Sequence, residues 1–216
     1  MLHVRFDRNS LGGEMTHQDQ KNPPANFRGT PPERLVVGIT GASGAILGIH
    51  LLKVLQPMDI ETHLVVSQAG RITIAQETDW EINDVLDLAD TTYNDQDISA
   101  AIASGSFATR GMVIIPCSIK TLSAVANSYA ADLISRSADV TLKEGRPLVL
   151  VVREGPLHRG HVRLLRLASE AGAIIHPPMP AFYKRPQTID DIYKGIVGRV
   201  LLRLGIENDE YPRWKE

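Results

Sequence analysis

Cysteine is almost absent from this chain: Cys117 is the only one in 216 residues. A lone thiol builds neither an intramolecular disulfide framework nor a cysteine-based zinc site, and it suits a reducing cytosol, so a cytoplasmic location is expected. A dominant charge is missing too. With 23 Lys and Arg against 25 Asp and Glu, interspersed, the net charge is −2. That balance gives no reason to expect nucleic acid or a membrane surface as partner, and leaves a small molecule. No run approaches the roughly 18 apolar residues that span a bilayer. The first 33 residues lack apolar periodicity and carry Gly12, Gly13, Pro23, Pro24, Pro31 and Pro32 among polar residues. They read as a disordered extension, without the apolar stretch of a secretory signal, and Asp7, Glu14 and Asp19 speak against a mitochondrial presequence. Met15 is an alternative start. Residues 34–216 are then long enough for one well-filled domain.

What is present is organised around residues 34–48, RLVVGITGASGAILG. Leu35, Val36, Val37 and Ile39 form a buried-strand pattern, Gly41, Ala42, Ser43 and Gly44 a tight turn, and Ile46, Ile49, Leu51, Leu52 and Leu55 a helical face. Such a strand-turn-helix unit suits an anion: glycines permit close approach, Ser43 can cap the helix, and the helix N-terminus offers free N–H groups. A glycine-rich turn also forms simply to pack a helix on a strand. The glycines fall as G-x-x-G-x-x-x-G, unlike the dinucleotide pattern G-x-G-x-x-G, which also wants an acidic residue about 20 positions on. Here the second strand, 62–66, ends in Ser67. A hydroxyl at that point favours a mononucleotide or flavin-type ligand over NAD.

Further along, a helix from Ala69 delivers Glu77 to the side of the sheet where strand C-termini point. Residues 80–110 are the least informative stretch, with a short helix expected at 98–103 and a loop at 104–109. Another buried strand, 111–115, is expected to stop at Pro116 and to open a helix through Ser118, Ile119, Lys120 and Thr121, either as an anion site or as plain capping. Arg136 and Lys143 lie seven apart on one helical face without interleaved acids. The most apolar strand, 147–152, ends in Arg153 and Glu154, charges that are costly at a sheet rim unless paired or used. His158 and His161 have a spacing that suggests a metal, but no acidic or cysteine ligand accompanies them and Arg159 and Arg163 would repel a cation. The stiff loop 176–180, HPPMP, precedes Tyr183, Lys184 and Arg185 and looks like a substrate lid. An amphipathic helix over 189–204 bears Arg199, and Trp214 lies in the tail. The whole reads as α/β, a Rossmann-like or flavodoxin-like three-layer fold with a parallel sheet.

Set in order, TGASGAILG (40–48), ETD (77–79), SGSF (104–107), PCSIKTLS (116–123), RSADVTLKEGRPLVLVVRE (136–154), PLHRGH (156–161), PPMPAFYKRPQT (177–188) and PRW (212–214) resemble the UbiX-type flavin prenyltransferases. That group sits within the flavin-binding homo-oligomeric decarboxylase-like proteins. The resemblance covers essentially 34–214; Pro116-Cys117-Ser118 departs from the Pro-x-Met-Asn turn of the cysteine decarboxylases, and Gly145 stands where relatives have Arg. It implies transfer of a dimethylallyl group from dimethylallyl phosphate to N5 and C6 of reduced FMN, without a metal, in a homododecamer. The prenylated FMN would serve a UbiD-type decarboxylase. It further implies that Gly41, Ala42, Ser43, Ser67, Ser118, Ile119, Lys120, Thr121 and Arg153 hold FMN. Tyr183, Arg199, Lys143 and Arg136 would take the prenyl phosphate, with Arg136 reaching a neighbouring subunit's site; Glu77, Lys143 and Glu154 would be catalytic, and Trp214 would close the site. Two rivals stay open: an aromatic-acid decarboxylase, and a carrier subunit that binds FMN and leaves dimethylallyl phosphate intact.

Overall fold

The computed structural model describes residues 33–211, so the extension 1–32 with Met15 and the tail residue Trp214 lie outside the described residues. Strands β1 (Arg34–Ile39), β2 (Glu61–Val66), β3 (Thr91–Tyr93), β4 (Gly111–Cys117), β5 (Leu148–Val152) and β6 (Ile174–Ile175) form one sheet. Every pairing is parallel, in the order β3-β2-β1-β4-β5-β6. Central strands of such a sheet are covered on both faces, which is why β4 and β5 are uninterrupted apolar runs with every residue buried. The edges β3 and β6 are only three and two residues long. Short edges offer little unpaired backbone to another chain.

Helices α1 (Ala45–Leu55), α2 (Gln68–Glu77), α3 (Ile82–Leu86), α4 (Ile119–Ala126), α5 (Leu133–Lys143), α6 (Arg159–Glu170) and α7 (Ile189–Arg203) cover the two faces. On one face Leu35, Val37, Ile39, Val113 and Val149 pack against Leu51 and Leu52 of α1, Ile74 of α2, Val85 of α3 and Val197 and Val200 of α7. On the other Val36, Met112, Ile114 and Leu150 pack against Leu122 of α4, Leu133, Ile134 and Ala138 of α5 and Ala168 of α6. Successive side chains of a strand point to opposite faces, so alternate residues of one apolar run feed both cores. The three-layer α/β expectation holds.

Local expectations need four corrections. Pro116 does not stop β4: the Ile115–Pro116 peptide is cis and the strand runs on to Cys117, with a register irregularity against β5 between Ile114 and Cys117. The stretch 80–110 holds α3 and the edge strand β3, which its acidic and small residues concealed. The helix expected over 98–103 is a single 3-10 turn, Ala101–Ala103. The cations of α5 do have acidic neighbours, Arg136 bonding Asp139 at 3.1 Å and Lys143 bonding Glu144 at 2.6 Å.

Candidate active site

Strand order reverses between β1 and β4, so the chain leaves their C-terminal ends in opposite directions and opens a crevice there. Thr40, only 1% exposed, ties the two ends together. Its hydroxyl donates to Pro116 O at 2.7 Å and accepts from Ser118 N at 2.9 Å, while its own N–H reaches Pro116 O at 3.3 Å. Sequence reasoning passed over this residue. The available signal was a hydroxyl at the end of an otherwise apolar strand.

The turn after Thr40 differs from expectation at its cap. The N-cap of α1 is Gly44, left-handed at φ 101°, and it makes no side-chain capping bond. The orphan N–H groups at this helix start are answered from across the turn by Glu77, the last residue of α2, which accepts from Gly44 N at 2.7 Å. Burial pushes the Glu77 carboxyl up, but bonds from the Ser43 hydroxyl and the Gly44 and Ala45 N–H groups, with the charge of Arg153, hold it below the usual carboxylate range. The anion cradle read from the sequence therefore holds the chain's own carboxylate, and Ser43 bonds Glu77 instead of capping α1. Gly41 is needed for this arrangement because a Cβ there would collide with Ala69 Cβ in the first turn of α2.

The neighbouring loops carry the next group of expected residues. Ser67 N donates to Ile39 O at 3.0 Å and its hydroxyl caps α2 by accepting from Gly70 N at 3.0 Å. Ser118 caps α4, its hydroxyl accepting from Thr121 N at 3.3 Å and lying 3.1 Å from the Thr121 hydroxyl. Ile119 and Lys120 occupy the first turn of that helix, where N–H groups have no intrahelical acceptor, and the Lys120 side chain is exposed. Arg153 N donates to Cys117 O at 3.1 Å, which fixes Arg153 and Glu154 beside the β4 loop. Hydroxyls, free helix-start N–H groups, Lys120 and Arg153 around one crevice fit a phosphorylated mononucleotide such as a flavin. Cys117 is fully buried, and burial pushes its thiol up, so it serves as a small core residue and not as a nucleophile.

A second cleft of about 360 Å³ adjoins the β6 end, lined by His176, Met179, Tyr183, Arg199 and Tyr211 among others. Tyr183 and Arg199, distant in sequence, meet here. The Tyr183 and Tyr211 hydroxyls share a hydrogen bond, and the Arg199 guanidinium lies 5.5 Å from the Tyr211 ring centre. Tyr211 was absent from the sequence reading, where His176 figured only as the first residue of the stiff loop 176–180. Between the clefts, Val152, Arg153, Glu154, Pro177 and Met179 line a shared depression. His158 caps α6 through Nδ1, which accepts from Gly160 N at 2.9 Å, and its ring centre lies 3.6 Å from that of His161, the two planes tilted by 33°.

Lys143 is elsewhere. It ends α5, just before the chain enters β5, and beside it Arg146 bonds Gly105 O and Phe107 O in the loop that precedes β4. That is the amino-terminal edge of the sheet. The length of β5, five residues at about 3.3 Å each, puts the two edges on the order of 16 Å apart. Arg136, one turn into α5, donates through Nε to Ala103 O at 3.2 Å. Within one chain neither cation sits with Tyr183 and Arg199.

The fold and crevice define a class, the doubly wound α/β proteins with a mononucleotide site at the switch point. Residues 26–201 match the family model described as Flavoprotein. The chain is 57% identical over 186 residues to flavin prenyltransferase UbiX of Escherichia coli strain K12, an alignment covering 85% of this chain and 98% of that one. Among solved structures it superposes on AnUbiX (PadA1) in complex with FMN and dimethylallyl pyrophosphate with a TM-score of 0.84 and 46% identity, over 85% of this chain and 98% of that one. A dodecameric FMN-dependent UbiX-like decarboxylase from Escherichia coli O157:H7 superposes with a TM-score of 0.82 and 49% identity, over 85% of this chain and 100% of that one. The chain belongs to the flavin prenyltransferases of the UbiX type, within the flavoprotein family, and is an enzyme.

Proposed function

We propose that this chain transfers a dimethylallyl group from dimethylallyl phosphate to N5 and C6 of reduced FMN. The observation that carries this reading is the assembly at one sheet edge of Ser43, Glu77 and Arg153, next to the cleft lined by Tyr183 and Arg199. The turn 41–43, Ser67, Ser118, Ile119, Lys120, Thr121 and Arg153 would hold the flavin. Reduced flavin supplies the nucleophilic ring.

In the transfer the bond from the allylic carbon to the phosphate oxygen breaks and its electron pair leaves with phosphate. Bonds to N5 and C6 form, and one flavin hydrogen departs, net, as a proton with the phosphate. Ser43, hydrogen-bonded to an ionised Glu77, is placed to relay the flavin's proton. Glu154 at the junction of the clefts protonates the departing phosphate, while Arg199 and the Tyr183 hydroxyl stabilise its growing charge. Tyr183 and Tyr211 offer ring faces to an allylic cation, a contact worth about 0.5 to 2 kcal/mol. Trp214, which follows α7 in the sequence, is proposed to close the site.

The remaining cations come from a second copy. Neither Lys143 nor Arg136 lines this chain's cleft, which supports a homo-oligomer, a dodecamer in our reading, whose sites are completed between subunits. Exposed Met179, Phe182, Tyr129 and Ile98 are apolar surface that such contacts would cover. We further propose that residues 34–216 form the catalytic domain, that it works in the cytoplasm, where the lone thiol of Cys117 stays reduced, and that its product passes to a UbiD-type decarboxylase, as the ordered motifs suggest.

The test is anaerobic incubation of the protein with reduced FMN and dimethylallyl phosphate, followed by mass spectrometry of the extracted flavin. A flavin heavier by one C5 unit is expected; unmodified FMN beside an active relative would leave a carrier. Glu154→Gln and Lys143→Ala should retain FMN and lose product, and unchanged turnover in both would remove the assignment of the phosphate end.

A further inference from the structure

His176 stands where β6 ends, and its backbone N–H donates to Leu150 O at 2.9 Å, so the sheet itself fixes where the ring sits. The ring lines the cleft of about 360 Å³ together with Tyr183, Arg199 and Tyr211. Its Nδ1 is buried and has no hydrogen-bond partner among the described residues. The charges that act on it come from α7, Arg199 and Arg203, both cationic. Among the described residues the other titratable groups lining the cleft are the phenols of Tyr183 and Tyr211, and no carboxylate lines it. A half-buried imidazole facing only cations is poised to be neutral in the empty cleft and to become a cation once an anion is seated there.

We infer that His176 is a positioning residue for the anionic end of the substrate, its imidazole taking up one proton from solvent as the phosphate seats beside Arg199 and Tyr183. This rests on the reading that the cleft takes the prenyl phosphate. Burial, joined by Arg199 and Arg203, pushes the His176 imidazole below its ordinary range despite an opposing contact with its own backbone. A phosphomonoester between Arg199 and the ring reverses the sign of the local field and favours imidazolium, which adds a third donor group to the phosphate. By linkage, whatever proton the ligand induces the protein to take up makes the ligand bind more tightly as pH falls.

The experiment is calorimetry on the full chain loaded with oxidised FMN, which does not turn over, titrated with dimethylallyl phosphate near neutral pH in buffers of different ionisation enthalpy. Wild-type protein should take up more protons on binding than His176→Gln or His176→Asn, and its dissociation constant should rise by up to about tenfold per pH unit above neutrality relative to either variant. FMN binding should be the same in all three. Equal proton uptake and parallel pH profiles, with tight binding retained, would overturn the role of His176 while leaving the cleft as the phosphate site. Failure of wild-type protein to bind dimethylallyl phosphate at all would instead overturn the assignment of the cleft.

Discussion

Thr40 shows how much one hydroxyl can hold. It is buried, and both of its lone-pair and proton functions are spent on the β4 loop, at Pro116 O and Ser118 N. Thr40→Val keeps the shape and removes both side-chain bonds, leaving the Ser118 amide to find another partner and Pro116 O with only the longer bond from Thr40 N. A loss of about 1–3 kcal/mol is expected in denaturant unfolding, with weakened FMN binding, whereas Thr40→Ser should restore most of both. Glu77 makes a prediction in pH. Its carboxyl is held below the ordinary value, so the folded state favours the ionised form. The resulting stabilisation is complete above the unfolded value of about 4.3 and fades as pH falls through the lower folded one. Wild-type protein should therefore lose stability relative to Glu77→Gln as pH falls from about 5 through the lower folded value, and parallel unfolding midpoints over that descent would show that the Ser43, Gly44 and Ala45 contacts carry no weight.

At the scale of elements, three helices begin at the same sheet edge and their starts are satisfied in different ways. The start of α1 is answered by Glu77 of α2, while α2 and α4 are capped by their own Ser67 and Ser118. That arrangement depends on α1 and α2 approaching closely, which Gly41 permits against Ala69. Gly41→Ala should cost about 1–3 kcal/mol by overpacking and move Glu77 off Gly44. Adding Ala69→Gly should recover part of the loss, and additive effects in the double variant would separate the two sites. Elements with apolar runs were legible: β1, β4, β5 and α1 fall close to where the sequence placed them. By contrast α3 and β3 are short, lie at the periphery and draw their apolar contacts from distant segments, so no local periodicity announced them.

For the whole molecule, the proposed role of Lys143 bears on how the active site is assembled. An enzyme that needs Lys143 next to Tyr183 cannot assemble that pair within a single chain whose sheet separates them. Oligomers co-assembled from Lys143→Ala and Tyr183→Phe chains should recover turnover that neither homo-oligomer shows, because some sites would draw an intact lysine from one chain and an intact tyrosine from another. Failure to recover any product in verified mixed oligomers would place the functional site in one subunit.

The sequence by itself determined the parallel α/β class, because buried strands must be apolar on both faces, and it determined the loops that matter, because glycine, proline and hydroxyl residues cluster where strands end. It placed Glu77, Ser118, Arg153 and Glu154 at one rim for the same reason. Only the tertiary structure decided the partners. Glu77 meets the first turn from 33 residues away, Thr40 joins Pro116 across 76 and Tyr183 meets Tyr211 across 28, and the place of Lys143 at the far edge likewise follows from the direction of α5. Local pattern fixes which face of an element is apolar; which polar groups meet across elements depends on strand order and helix direction, and those are set by packing the two cores together.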